Sequence, residues 1–82
     1  MAAPTRLAVL WELEMQENRL ACVVYRRTQG LELRLESPQA TIMAEPFEMQ
    51  PRMLAKARAL RNSLKRRGWR DGPRGGAQAP RG

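Results

Sequence analysis

Histidine is absent from the 82 residues, and Cys22 is the only cysteine. Without histidine, the side chain that most often serves as a general base near neutral pH is missing. A single cysteine excludes an internal disulfide, and with no histidine beside it cannot build an ordinary zinc site. No phosphate-binding glycine loop is present: Gly75-Gly76 leads into no helix. Long apolar runs are also lacking. Leu7 to Trp11 stops at Glu12, which is short for the centre of a signal peptide, and nothing approaches the roughly 18 residues of a membrane-spanning helix. These absences predict a non-enzymatic protein with no metal, no cofactor, no small-molecule substrate and no membrane partner. With so little thiol, a reducing cytoplasmic setting is expected.

What remains is one small domain. About 65 to 70 residues are available to fold, a size at which core burial and lost chain entropy nearly cancel. Disulfides and structural metals being excluded, self-association is the remedy left. Charge is unevenly spread. Residues 1–48 hold five arginines against seven glutamates, a net −2, whereas residues 49–82 hold ten Lys and Arg against Asp71 alone, a net +9. That asymmetry calls for an anionic partner or an acidic surface on a second copy.

The most periodic stretch is Met49 to Trp69. Met53, Ala57, Leu60 and Leu64 form one apolar stripe on a helix, with cations on the flanks. Pro51 suits the first turn, and Gly68 the left-handed position that ends a helix. Upstream the period is two. Leu7, Val9, Trp11, Leu13 and Met15 share one face, and Leu20, Cys22 and Val24 continue in phase. A turn at Glu17-Asn18 would set Met15 opposite Leu20, Leu13 opposite Cys22 and Trp11 opposite Val24. A turn at Gln29-Gly30 leads to Leu31–Glu36, with Val24 meeting Leu35, Arg27 meeting Glu32 and Arg26 beside Leu33. A turn at Pro38-Gln39 then sets Ile42 opposite Leu35 and Ala44 opposite Leu33, with Pro46 on an edge and Phe47 stapling the helix start. The expected fold class is α+β: an antiparallel β-meander of three to four strands with one C-terminal helix packed on one face (β-β-β-β-α). Residues 1–69 form the domain, Trp69 folds back as a plug, and residues 70–82, rich in Arg, Gly and Pro, form a disordered tail.

Leu10-Trp11-Glu12-Leu13, the apolar strand around Cys22, Phe47 before an Ala-rich helix and the closing Leu64-Lys65-Arg66-Arg67-Gly68-Trp69 together resemble a group of small uncharacterised bacterial proteins. The resemblance covers roughly residues 7–69 and rests on core and capping positions, so it implies a fold and no activity. Members usually carry a Ser or Thr cap shortly after the Phe, where this chain has Glu48, Met49 and Gln50.

Two surfaces carry functional content. On the sheet face opposite the helix, Leu10 is expected to face Tyr25 with Val23 beside them. This apolar island suits a homodimer contact or docking to another protein. At the helix end, Arg58, Arg61, Lys65, Arg66 and Arg67, continued by Arg70 and Arg74, form a basic cluster that offers non-specific nucleic-acid binding as the alternative. Cations there also stabilise the helix C-terminus, which is the wrong pole for gripping phosphate. Cys22 reads as a buried structural thiol, and Glu12 with Glu14 as a solvated sheet surface.

Overall fold

The structure, a computed structural model, describes residues 3–72. Four strands, β1 (Thr5–Met15), β2 (Asn18–Arg26), β3 (Leu31–Glu36) and β4 (Thr41–Phe47), precede helix α1 (Gln50–Arg66). A short β5 (Arg70–Asp71) then closes an antiparallel sheet in the order β4-β3-β2-β1-β5. The expected β-β-β-β-α order is present, fourth strand included. The helix covers one face, over a buried cluster of Cys22, Val24, Leu33, Met53 and Ala57 against which Leu10, Trp11, Leu31, Phe47 and Leu60 pack. Trp11 ties the layers together, its Nε1–H donating to the Ala57 carbonyl at 3.1 Å.

Both first turns fall one residue earlier than expected, which shifts each pairing register by two. The β1–β2 turn is Gln16-Glu17, with Gln16 at φ 57°, so Met15 faces Asn18, Leu13 faces Leu20 and Trp11 faces Cys22. Between β2 and β3 the loop spans 27–30, closed by the Arg27 N–H donating to the Gly30 carbonyl, so Cys22 faces Leu35, Val24 faces Leu33 and Arg26 faces Leu31. A slip of two leaves every side chain on its expected face. Odd slips do not. β1 breaks register between Val9 and Trp11, and this bulge at Leu10 sends Leu10 to the helix-facing core while Val9 pairs with Val23 on the opposite face. A second bulge at Leu7 sets Arg6 opposite Tyr25. At Ile42 the β3–β4 pairing shifts by one, so Met43, Glu45 and Phe47 take the helix side and Ile42 is exposed, contrary to the expected pairing of Ile42 with Leu35. Glu45 in that position reaches Lys56 of α1 at 3.7 Å.

The helix starts without a side-chain cap at Met49, with Pro51 in its first turn. It ends in a Schellman arrangement: the Gly68 N–H donates to the Lys65 carbonyl and the Trp69 N–H to the Leu64 carbonyl, Gly68 taking φ 108°. Trp69 is half-buried. From there the chain does not leave the domain. Arg70 pairs with Glu14, Asp71 with Leu13, and the Gly72 N–H donates to the Glu12 carbonyl at 2.9 Å, so the domain continues past the boundary expected at residue 69, at least to Gly72. The rest of the expected tail, with Arg74, lies outside the described residues.

Candidate functional site

The sheet face away from the helix carries the most structured polar surface. Val23 lies on it, paired with Val9 and Arg34, and is 0 % exposed although α1 lies against the other face. Side chains lying flat on the sheet must therefore cover it. Tyr25 stands opposite Glu32, but its hydroxyl donates to Glu36 Oε2 at 2.6 Å. Glu36 pairs with Ala21, four residues back along β2, so the ring has to run along the strand over Val23. Arg34 closes the roof, its guanidinium 4.0 Å from the ring centroid and its Nε–H donating to Glu32 Oε2 at 2.6 Å. A cation over a ring contributes about 0.5–1 kcal/mol at an exposed site. The Arg27–Glu32 pair expected across the strands is present at 3.5 Å, although in the corrected register the two are not directly opposite. The bond to Glu36 raises the Tyr25 hydroxyl above its ordinary pKa, and partial burial and the Glu36 charge add to the shift.

Of the expected island, Tyr25 is thus in place, Val23 is a buried floor rather than contact surface, and Leu10 is on the other side of the sheet. Val9, 42 % exposed, takes its position. A bulge has no signature in a single alternating sequence, which is why Val9 could not be assigned there from periodicity.

Farther along the same face lies a shallow cup of about 440 Å³. Ala21 is its small floor; Glu12, Glu14, Arg19 and Glu36 stand around it, and Gly72 forms part of its wall.

At the helix end, Arg61 and Lys65 both turn to Asp71, at 2.7 and 3.1 Å, and clamp β5 onto α1. The basic cluster is therefore partly spent internally. Among the described residues Arg58, Arg66, Arg67 and Arg70 are exposed and make no ion pair. The bonds from Arg61 and then Lys65 hold the Asp71 carboxyl below its ordinary pKa. A depressed carboxyl stabilises the fold above its unfolded value of about 3.9, and that contribution is lost as pH falls through the lower folded value. The groups are over a third exposed, so the clamp is worth only ~0.2–1 kcal/mol. Asp71→Asn should lower the melting temperature at pH 7 by about 1–6 °C, with the difference shrinking toward zero below about pH 3. Melts by circular dichroism at both pH values check this, and a pH-independent difference would contradict it.

Cys22 is fully buried mid-strand, and burial pushes its thiol up to about 12, so it stays protonated at neutral pH. Among the described residues no cluster of metal-ligating side chains occurs, and no helix is long and apolar enough to cross a membrane. The chain matches no protein-family model, no curated protein and no solved structure.

Proposed function

We propose that this protein works by association, without catalysis, in the cytoplasm, and that it pairs with a second copy of itself through the helix-free sheet face. Val9, Tyr25 and Arg34 form the contact. The observation that carries this reading is the exposure of Val9 beside the Tyr25–Arg34 stack, on a face whose floor is already apolar. Tyrosine and arginine are among the residues that most often dominate binding energy at interfaces. Around them Arg6, Glu12, Arg19, Glu32 and Glu36 mix both signs, which lets the face complement itself across a two-fold axis. The apolar part is small and association costs several kcal/mol of rigid-body freedom, so a dissociation constant on the order of 10–100 µM is expected. Light scattering on wild type and Val9→Lys tests this. Val9 is already part-exposed, so the substitution should leave the fold intact.

Nucleic-acid binding through Arg58, Arg66, Arg67 and Arg70 is a second reading, favoured by the exposure of these four cations without ion pairs among the described residues. Because Asp71 ties up Arg61 and Lys65, Asp71→Asn should free both, tightening binding and steepening its salt dependence by about one charge. Wild type that binds neither RNA nor DNA at low salt removes this reading.

A further inference from the structure

We infer that Arg61 and Lys65 form a phosphate site that Asp71 occupies from within, so that β5 is a strap which a nucleic-acid strand displaces. This rests on the nucleic-acid reading and adds its regulation. On α1, Arg58, Arg61 and Lys65 stand three and then four residues apart, which puts them on one helix face. Asp71 lies across the last two, one carboxylate oxygen on Arg61 at 2.7 Å and the other on Lys65 at 3.1 Å. A phosphodiester offers the same pattern, two non-bridging oxygens that share one negative charge. Arg58 is exposed and makes no ion pair among the described residues, so it continues the site beyond the strap. From Arg58 to Lys65 the helix rises about 10 Å, which matches about three phosphates of one strand at about 3.4 Å each.

The strap is attached weakly. The Schellman bonds hold Gly68 and Trp69 to the end of α1, so the chain can swing from Arg70 onward without disturbing the helix. Beyond that point β5 pairs Arg70 with Glu14 and Asp71 with Leu13, a ladder two residues long among the described ones, and Gly72 adds its bond to the Glu12 carbonyl. Arg70 and Asp71 are themselves exposed, which places this segment at the low end of local stability. Its other attachment is the pair of ion pairs to Arg61 and Lys65, whose groups are exposed enough for water and salt to weaken them. A ligand that takes the two cations from Asp71 therefore weakens the docking of β5 by the same factor by which docking weakens the ligand. Once displaced, Asp71 gathers a counter-ion back. That uptake offsets one of the ions released from the nucleic acid, so the wild-type salt dependence is the shallower by about one charge.

The test is a titration of the full chain with a single-stranded oligothymidylate at low salt, followed by nuclear magnetic resonance and fluorescence anisotropy. Binding should speed exchange of the Gly72 amide with water, while the Trp69 amide, held by the helix end, stays protected. Asp71→Asn should bind about 1.5- to 5-fold tighter, the factor equivalent to the worth of the clamp, with a salt slope steeper by about one. Glu48→Gln changes the net charge equally at the other end of α1 and should bind as wild type does. Wild type that binds while Gly72 stays protected, or Asp71→Asn that binds no tighter than Glu48→Gln, overturns the strap and leaves the nucleic-acid reading standing. If wild type does not bind, that reading fails and the strap with it. Polyglutamate that releases Gly72 as readily as the oligonucleotide does would make this a site for acidic protein and overturn its assignment to phosphate.

Discussion

Trp11→Ala is expected to leave the chain largely unfolded at 25 °C. Trp11 packs on the core cluster from β1 and donates its indole N–H to the Ala57 carbonyl of α1. Removing a large packed aromatic typically costs 3–5 kcal/mol. A domain of this size has ~3.5–10 kcal/mol in total at 0.05–0.15 kcal/mol per residue, and a core this small belongs at the low end of that range, where the loss consumes most of the margin. If some fold survives, its melting temperature should fall by at least about 12 °C. Trp11→Phe keeps most of the packing and loses the bond to Ala57, costing about 1 kcal/mol from the hydrogen bond. Thermal melts followed by circular dichroism distinguish the two. A Trp11→Ala protein melting within a few degrees of wild type would show that the indole is not the tie between helix and sheet.

Gly30→Ala is the second large effect, and Gly68→Ala is its control. Both glycines hold positive φ, 84° and 108°, a conformation that costs an L-residue ~1–2 kcal/mol. Their surroundings differ. A Cβ on Gly30 would sit 2.8 Å from the Phe47 carbonyl oxygen, a backbone atom of the neighbouring strand, so the β2–β3 loop and the end of β4 must move apart. That motion disturbs the Leu31–Phe47 pair at the edge of the core. On Gly68 the nearest atom is Met15 Sδ at 3.5 Å, an ordinary contact with a flexible side chain. Gly68→Ala should therefore cost only the backbone term, whereas Gly30→Ala adds overpacking of ~1–3 kcal/mol. Urea denaturation should rank Gly30→Ala well below Gly68→Ala. Equal midpoints would mean that the loop is not held against β4 as closely as the geometry requires.

The helix and the strand faces were legible in the sequence because they follow from periods, 3.6 and 2, that the apolar residues write directly. Partners were less so. Moving the β1–β2 turn from Glu17-Asn18 to Gln16-Glu17 slides the strands by two residues, and a period of two cannot register that change. The choice depended on Gln16 accepting φ 57°, which its side chain does not advertise. The bulges at Leu10 and Ile42 were invisible for a different reason. Each inserts one residue and reverses the faces beyond it, while Leu10, Val9 and Ile42 are all apolar and so fit either side. Those reversals displaced the candidate interaction surface. Asp71 did leave a signal: a single acid among ten cations, six residues after Lys65 and ten after Arg61, is a natural counter-ion once Gly68 turns the chain back. Val23 could not have been identified as buried, because its roof depends on Tyr25 reaching diagonally to Glu36 rather than across to Glu32.

Self-association through the helix-free face is tested most directly by light scattering over a concentration series from 10 µM to 1 mM, on the order of and above the expected dissociation constant. Wild type should pass from monomer to dimer mass across that range. Val9→Lys should stay monomeric throughout while keeping the wild-type circular dichroism spectrum and melt. Wild type that remains a monomer at 1 mM, or a folded Val9→Lys that dimerises as well as wild type, would contradict the proposal and leave that face as solvated surface.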